Sequence, residues 1–129
     1  MRKYITMLLL ICIVALFVSA CGQAKDPAAK AVEDYYTALV NKDSSALSAL
    51  SCADWESNAL LEFDSLQAVT TKLENLSCSA TSTDGTTTQV NCQGTLIATY
   101  SNENQELDLS VHTYEVVKQN GEYLVCGYK

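Results

Sequence analysis

Arginine is nearly absent from this chain, since Arg2 is the only one among 129 residues. Beyond residue 20 the sequence holds six lysines against 15 acidic residues, which gives a net charge of −9. Proteins that bind nucleic acid draw their affinity from lysines and arginines that neutralise phosphates. The composition therefore excludes nucleic acid as a partner, and it also disfavours direct adsorption to an anionic lipid surface.

Histidine and the common catalytic motifs are equally scarce. His112 is the only histidine, and no Cys-x-x-Cys pair is present, so we expect neither a structural zinc site nor any other cofactor. The sequence also lacks a serine or cysteine nucleophile elbow, a glycine-rich phosphate loop and a His-Glu metal motif. These absences remove the enzyme classes that such motifs define.

The first 20 residues have the order of a secretory signal peptide. Arg2 and Lys3 precede an uncharged apolar stretch of 12 residues, 7–18, which ends in the small residues Ser19 and Ala20. The apolar stretch is shorter than the ~20 residues that a spanning helix needs. We therefore favour a cleaved signal over the alternative, an uncleaved membrane anchor.

The four residues Val18 to Cys21 resemble the lipobox of bacterial lipoproteins, with valine in place of the commoner leucine. The resemblance implies cleavage before Cys21 and transfer to its thiol of a diacylglyceryl group, which carries long fatty acids such as palmitate. The mature protein would then be held at the cell membrane by its lipid, on the extracytoplasmic side. We expect a signal peptide over residues 1–20, a lipidated tether over 21–25 and one α+β domain over 26–129.

An even number of cysteines remains once Cys12 leaves with the signal and Cys21 is acylated. In an exported protein this predicts two disulfides, although four cysteines allow three pairings. The four are Cys52, Cys78, Cys92 and Cys126.

The alternation of the first predicted hairpin selects one pairing. With an odd-length turn around Asp84-Gly85, facing residues have numbers that sum to 170, so Cys78 faces Cys92. The same register sets Leu76 against Gly94, whereas an even turn would mix apolar and polar faces. Antiparallel partners lie ~4.5 Å apart at a non-hydrogen-bonded site, near the lower edge of disulfide reach. By elimination, Cys52 pairs with Cys126 and ties the helices to the last strand.

Apolar residues recur at helical spacing in three segments. The first begins after an N-cap at Asp26, with proline at the first helical position, and ends near Asn41. The second opens after Asp43, and the third runs from about Asp54 to about Val69.

After residue 70 the period of the apolar pattern changes to two. This predicts strands over about 76–80, 88–100, 107–116 and 123–128, with a polar turn at 101–105. A slip in phase between Val111 and Tyr114 suggests a β-bulge, and Asn120-Gly121 predicts a tight hairpin. Three helices followed by a four-stranded antiparallel meander make an α+β fold.

The chain resembles the nuclear-transport-factor-2-like superfamily in the features that follow. They are the leading helix with Tyr35-Tyr36 and Leu39, the Asn41-Lys42-Asp43 step before a second helix, and the long bent strands. The ending over residues 121–128 is similar to that of small extracytoplasmic lipoproteins of this fold. The resemblance implies a cystatin-like cone, in which a curved sheet wraps the first helix and leaves a pocket at its open end.

Enzymes of this superfamily, such as ketosteroid isomerases and polyketide cyclases, place Asp, His or Tyr in the pocket for proton transfer. His112 lies on the opposite phase from Val111, which predicts that it faces solvent or the far side of the sheet. Asp54 and Asp64 are ten residues apart near one helix face, and an acidic stripe on the surface explains this spacing as well as a catalytic pair would. We therefore predict no catalytic residue and no enzymatic activity.

Five aromatic residues are candidates to line the pocket, although ordinary core packing would explain them too. They are Tyr35, Tyr36, Trp55, Phe63 and Tyr114. The leading hypothesis is a lipid-anchored binding or interaction module with a small apolar pocket, for an unknown small ligand or an envelope protein. The alternatives are an isomerase- or cyclase-type enzyme with an unrecognised acid-base pair, and a structural partner in the cell envelope.

Overall fold

The computed structural model describes residues 24–129, so the predicted signal peptide and the lipidated Cys21 lie outside the described residues. Three helices precede five strands. The helices are α1 (Pro27–Val40), α2 (Ser44–Ala49) and α3 (Ala53–Ser65). The strands are β1 (Thr70–Asp84), β2 (Thr87–Tyr100), β3 (Glu103–Asp108), β4 (Thr113–Gln119) and β5 (Glu122–Tyr128), with a 3-10 helix (Leu109–Val111) between β3 and β4.

Helix α1 begins where the sequence predicts it. The Asp26 carboxylate accepts hydrogen bonds from the backbone N–H groups of Ala28, at 2.8 Å, and Ala29, at 3.3 Å. Pro27 occupies the first position, where no backbone donor is required. The buried residues of α1 are Ala28, Ala29, Ala31, Val32, Tyr35, Tyr36, Ala38 and Leu39. This helix is therefore the centre of the core, and the sheet curves around it.

Helices α2 and α3 cover the remainder of that core. Asp43 caps α2 through its side chain, as predicted. Helix α3 ends at Ser65, earlier than the predicted Val69. The ammonium group of Lys42 donates to the carbonyls of Gln67, at 2.9 Å, and Val69, at 2.8 Å, and so stabilises the turn that leads into β1.

The sheet has five strands, one more than the sequence predicts. Its order is β1-β2-β4-β5, and β3 also pairs with β2. Residues 95–100 of β2 pair with β3, and residues 87–91 pair with β4. The single bent strand predicted over 107–116 is thus two strands, separated by a 3-10 helix and not by a bulge. The fully buried Leu109 and the Asp108 cap explain why the chain turns there.

The β1–β2 hairpin has the predicted register at its disulfide, but for a different local reason. Asp84 pairs with Thr87, so the turn has two residues and not an odd number. A bulge between Ala80 and Ser82 supplies the extra residue that brings Cys78 opposite Cys92. The hydrophobic pattern therefore fixes this register more strongly than the turn does.

A second irregularity in β1 overturns the predicted pairing of Leu76 with Gly94. The register shifts between Glu74 and Ser77, and Asn75 has a positive φ of 54°. Gly94 has φ +116°, and a Cβ on it would lie 2.7 Å from the Glu74 carbonyl oxygen. Only glycine allows the bulge to approach β2 this closely.

The two disulfides join the pairs that the sequence predicts. The Cα atoms of Cys78 and Cys92 lie 4.0 Å apart, and those of Cys52 and Cys126 lie 5.2 Å apart. Next to the second bridge, the Cys52 N–H donates to the Val125 carbonyl at 3.0 Å. The segment between α2 and α3 is therefore fastened to β5 by covalent and hydrogen bonds together.

Candidate functional site

Four tyrosines occupy the centre of the cone, where the predicted pocket would lie. Neighbouring rings meet edge to face, with centroids 5.6 Å apart for Tyr35 and Tyr36, and 5.7 Å apart for Tyr36 and Tyr114. Tyr128 continues the series, 5.7 Å from Tyr114. Tyr35, Tyr36 and Tyr114 are at most 2% exposed. We call these four residues the tyrosine cluster, and edge-to-face contacts of this kind favour their close packing.

The deepest hydroxyl groups of the cluster are bonded to each other. The hydroxyls of Tyr36 and Tyr114 lie 3.0 Å apart, and Tyr114 donates to the carbonyl of Leu109 at 3.3 Å. Since that carbonyl can only accept, Tyr36 is the donor to Tyr114. Both hydroxyls thus have partners within the protein and need none from a ligand.

Glu62 links the outer part of the cluster to α3. Its carboxylate accepts hydrogen bonds from Tyr35 at 2.9 Å and from Tyr128 at 2.7 Å. The indole N–H of Trp55 donates to the Tyr35 hydroxyl at 3.3 Å. Trp55, Glu62 and Tyr128 are half-buried, so this end of the network lies near the surface.

Helical spacing explains how Glu62 reaches this position. Trp55, Ala59 and Glu62 stand at i, i+4 and i+7, on one face of α3. The sequence predicted Trp55 as a pocket residue but neither Glu62 nor Tyr128. The one signal for Glu62 is that an acidic residue stands on the same face of α3 as Trp55 and the buried Ala59.

Burial raises the pKa of the cluster tyrosines above the ordinary value. It is the largest cause for all four, and the nearby Tyr114 raises the pKa of Tyr36 further. For Tyr35 the second cause is the charge of Glu62, and for Tyr128 it is the hydrogen bond to Glu62. The four hydroxyls therefore stay protonated and act as hydrogen-bond donors at neutral pH.

His112 lies beside the cluster, contrary to the prediction that it faces away. Its ring centroid is 4.4 Å from that of Tyr128 and 6.3 Å from that of Tyr114, and the side chain is half-buried. Val111, expected to face inward, is 65% exposed. The 3-10 helix causes this exchange, because it shifts the alternation of the chain just before β4.

The remaining predicted site residues lie outside the hydrogen-bond network. Phe63 is half-buried and packs against the hydrophobic core. Asp54 and Asp64 are exposed on α3. Among the predicted pocket residues, the structure thus brings together Tyr35, Tyr36, Trp55 and Tyr114.

The rings of the tyrosine cluster pack against one another at the centre of the cone. Four surface depressions with volumes between about 230 and 520 Å³ lie elsewhere on the domain, and the tyrosine cluster lines none of those four. One of about 490 Å³ lies on the polar outer face of β1 and β2, and one of about 520 Å³ lies beside the start of α1. Of the predicted pocket residues, Tyr36 and Tyr114 are buried and bonded to each other through their hydroxyls.

Within residues 24–129, no three His, Cys, Asp or Glu side chains are grouped so that they could hold a metal ion. No helix in the same range is both long and apolar enough to cross a membrane.

Several solved structures have a similar fold. No family model and no curated protein matches the sequence. Aln2 from a Streptomyces species is similar in structure, with a TM-score of 0.57 and 9% identity over 79% of this chain and 85% of its own. A protein assigned as a ketosteroid isomerase, from Shewanella frigidimarina, has a TM-score of 0.57 and 13% identity over 80% of this chain and 93% of its own.

A protein assigned as a scytalone dehydratase, from Novosphingobium aromaticivorans, is also similar. Its TM-score is 0.52, with 16% identity over 77% of this chain and 76% of its own. Three helices on a curved antiparallel sheet make the chain a nuclear-transport-factor-2-like cone, as the sequence resemblance predicted. At these identities the likeness establishes the fold alone, because this fold carries many unrelated functions.

Proposed function

We propose that this protein is a lipid-anchored, extracytoplasmic interaction module that acts through its surface and not through a pocket inside the cone. The observation that carries the proposal is the filled tyrosine cluster. Tyr36 and Tyr114 are buried and their hydroxyls bond to each other, so a ligand would have to displace both rings to enter. A preformed concave site, which small-ligand binding usually needs, is not offered there.

The lipid anchor rests on the sequence of the N-terminal segment. Cys21 follows the lipobox-like residues, and α1 begins only a few residues later, at Pro27. An acyl-modified Cys21 would thus hold the domain close to the membrane. The acidic composition beyond residue 20 supports the same conclusion. An acidic domain is not attracted to an anionic membrane surface, so the lipid on Cys21 must supply the attachment.

Metabolic labelling tests the anchor. We expect the full chain, expressed in a bacterial host with labelled palmitate, to carry the label and to partition into detergent. Cys21→Ala should remain an unlabelled precursor, whereas Cys12→Ala, in the same signal segment, should be processed and labelled as usual. An unlabelled wild-type protein would contradict the proposal.

The second candidate function is an enzyme of the isomerase or cyclase type, and Glu62 is the observation that favours it. A half-buried carboxylate beside two neutral tyrosine hydroxyls could pair a general base with donors that stabilise an enolate. His112 adds a second titratable group beside Tyr128. Against this candidate, both Glu62 oxygens already accept tyrosine hydrogen bonds, so a substrate must replace one of them.

Proton exchange separates the two candidates. The wild-type protein is incubated in deuterated water with simple ketones, including a β,γ-unsaturated one, and exchange at the carbon next to the carbonyl is followed by NMR. We expect the same rate with Glu62→Gln and with wild type, since we propose no catalysis. Asp64→Asn, an exposed acid on the same helix, is the matched control. A rate that only Glu62→Gln abolishes would establish the enzyme instead.

A further inference from the structure

Strand β3 leaves an edge of the sheet open. Its only strand partner within residues 24–129 is β2, and all six of its residues, Glu103–Asp108, are exposed. An open edge presents unpaired backbone N–H and C=O groups to any chain that can pair with them. This edge is therefore one place on the domain where another strand could be added.

The tight turn before β3 determines which backbone groups point outward. Ser101 and Asn102 both have positive φ, 47° and 66°, and Tyr100 pairs with Glu103 across them. A two-residue turn of this type closes on a hydrogen-bonded pair, and hydrogen-bonded and non-hydrogen-bonded pairs then alternate. The residues whose backbone groups bond to β2 are Glu103, Gln105 and Leu107. Those whose backbone groups face outward are Asn104, Glu106 and Asp108.

The two faces of this edge differ in character. On the inner face, Leu107 pairs with the buried Leu96 yet is 46% exposed, and Tyr100 nearby is 65% exposed. On the outer face stand Glu106 and Asp108. No lysine or arginine occurs over residues 73–117, and the ammonium of Lys72, on β1, is bonded to Glu74 at 2.6 Å. Glu103 and Gln105 share the inner face with Leu107, so the inner face of β3 is mixed, with Leu107 as its exposed apolar residue, and the outer face is acidic.

We propose that the β3 edge accepts an extended segment of another protein, in which lysine or arginine alternates with apolar residues. In an added strand, the apolar side chains lie on the face of Leu107, which is their direct neighbour, and the basic ones lie next to Glu106 and Asp108. A second copy of this chain is a poor occupant, because two β3 edges would bring acidic residues together. This inference rests on the proposed interaction role and names its surface.

The position of β3 in the fold leaves this edge accessible. Thr71, at the start of β1, donates to the carbonyl of Val40 at 2.9 Å and pairs with Ala98 of β2. The β2–β3 hairpin therefore projects from the C-terminal end of α1. The N-terminal end of α1, which follows the tether, is about 20 Å away along a helix of 14 residues. The edge lies at the end of the domain opposite to the proposed anchor.

Hydrogen exchange gives the test a residue-level readout. The full chain is purified in detergent and mixed with a short synthetic peptide of alternating lysine and valine, or with its glutamate-valine counterpart. We expect the lysine peptide to slow exchange of the Asn104, Glu106 and Asp108 amides at least about tenfold, because these amides gain a partner. The Gln105 and Leu107 amides, already bonded to β2, should change little. The glutamate peptide should have no effect.

Two substitutions at one position separate strand addition from charge attraction. Glu106→Gln removes the charge and keeps the backbone donor, so binding should weaken by about two- to fivefold. Glu106→Pro also removes the outward N–H, which a sheet edge tolerates, and should weaken binding by a further factor of about ten or more. Glu122→Gln, an exposed acid on β5, is the control and should bind as wild type.

Three outcomes would overturn the inference. The first is equal binding of the peptide by Glu106→Pro and Glu106→Gln, and the second is protection spread evenly over the acidic surface. The third is exchange in β3 that slows with protein concentration when no peptide is present, which would indicate self-association. If the peptide experiment fails while Cys21 is labelled as expected, only the inference about the β3 edge is rejected, and the lipid anchor stands. Proton exchange that depends on Glu62 would contradict the proposed function, whatever the result of the peptide experiment.

Discussion

At the scale of single residues, the hydroxyl groups of the tyrosine cluster depend on one another for their hydrogen bonds. Removing the hydroxyl of Tyr114 leaves that of its neighbour Tyr36 without a partner. The Tyr36 hydroxyl is buried and donates to Tyr114, which in turn donates to Leu109. A buried hydroxyl without a partner destabilises the fold by about 1–3 kcal/mol, whereas removing both partners together changes stability much less. The stability lost on removing both hydroxyls is therefore not the sum of the losses on removing each one.

A double-mutant cycle should reveal this coupling. We expect Tyr114→Phe to lower the free energy of unfolding by about 1–3 kcal/mol, because it leaves the Tyr36 hydroxyl without an acceptor. The double variant with Tyr36→Phe should lose less than the sum of the two single losses. Urea unfolding, followed through the fluorescence of the single tryptophan, Trp55, measures each value. Tyr100→Phe, at an exposed ring, is the control, and strictly additive losses would contradict the coupling.

The residues of the site were only partly predictable. Tyr35 and Tyr36 follow from the helical stripe, because an aromatic residue at that spacing faces the core whatever surrounds it. Glu62 and His112 do not follow in the same way. Glu62 is half-buried where two tyrosines from distant elements donate to it, and His112 turns inward after a 3-10 helix that shifts the alternation. Neither cause is visible in the periodicity of the apolar residues.

At the scale of elements, the sheet depends on one glycine for its bulge. Gly94 has φ +116°, and an added Cβ would come within 2.8 Å of the Asn75 carbonyl oxygen as well as meeting that of Glu74. Both obstacles are backbone atoms, which cannot rotate away as a side chain would. The bulge in β1 and the glycine in β2 are thus one structural unit.

Replacing that glycine should be far more harmful than replacing another with positive φ. We expect Gly94→Ala to destabilise the domain by more than about 2 kcal/mol, through strain in φ and the clash with β1 together. Gly85→Ala at the hairpin turn, where φ is +60° and nothing lies within 4 Å of the added carbon, should lose only about 1 kcal/mol. Thermal unfolding compares the two, and equal losses would show that the close approach is unimportant.

The elements that the sequence predicted well are those with one buried face. Helix α1 and the Asn120-Gly121 hairpin were correct because apolar periodicity and turn chemistry agree there. Strand β3 was partly read as a polar turn, since all six of its residues are exposed and its alternation marks no core. The first part of β1 was missed for a similar reason: its bulge interrupts the alternation after Glu74.

At the scale of the whole molecule, the core is unusual in being both aromatic and hydroxylated. Tyrosines from α1, β4 and β5 meet at its centre, so helices and sheet are joined by polar contacts as well as by apolar packing. The protonation state of these groups is therefore linked to global folding. Because burial raises the pKa of the Tyr36 and Tyr114 hydroxyls in the folded state, their ionisation favours unfolding.

Stability should for this reason fall steeply in alkali. Tyrosine ordinarily ionises near pH 10, and burial raises the pKa of Tyr36 and Tyr114 above that value in the folded state. Below pH 10 both states keep these protons, and the contribution to stability is fully present. Above it the unfolded chain releases protons that the folded chain retains, so the free energy of unfolding declines as the pH rises.

The expected slope distinguishes this cause from general alkaline damage. Each fully buried tyrosine should contribute up to about 1.4 kcal/mol of lost stability per pH unit above pH 10. The variant in which both Tyr36 and Tyr114 are phenylalanine should therefore decline less steeply than wild type, even if it starts from a lower value. Urea unfolding at intervals between pH 8 and pH 11 gives both curves. Parallel curves would mean that these two hydroxyls do not control alkaline unfolding, because a slope that survives their removal must come from other groups.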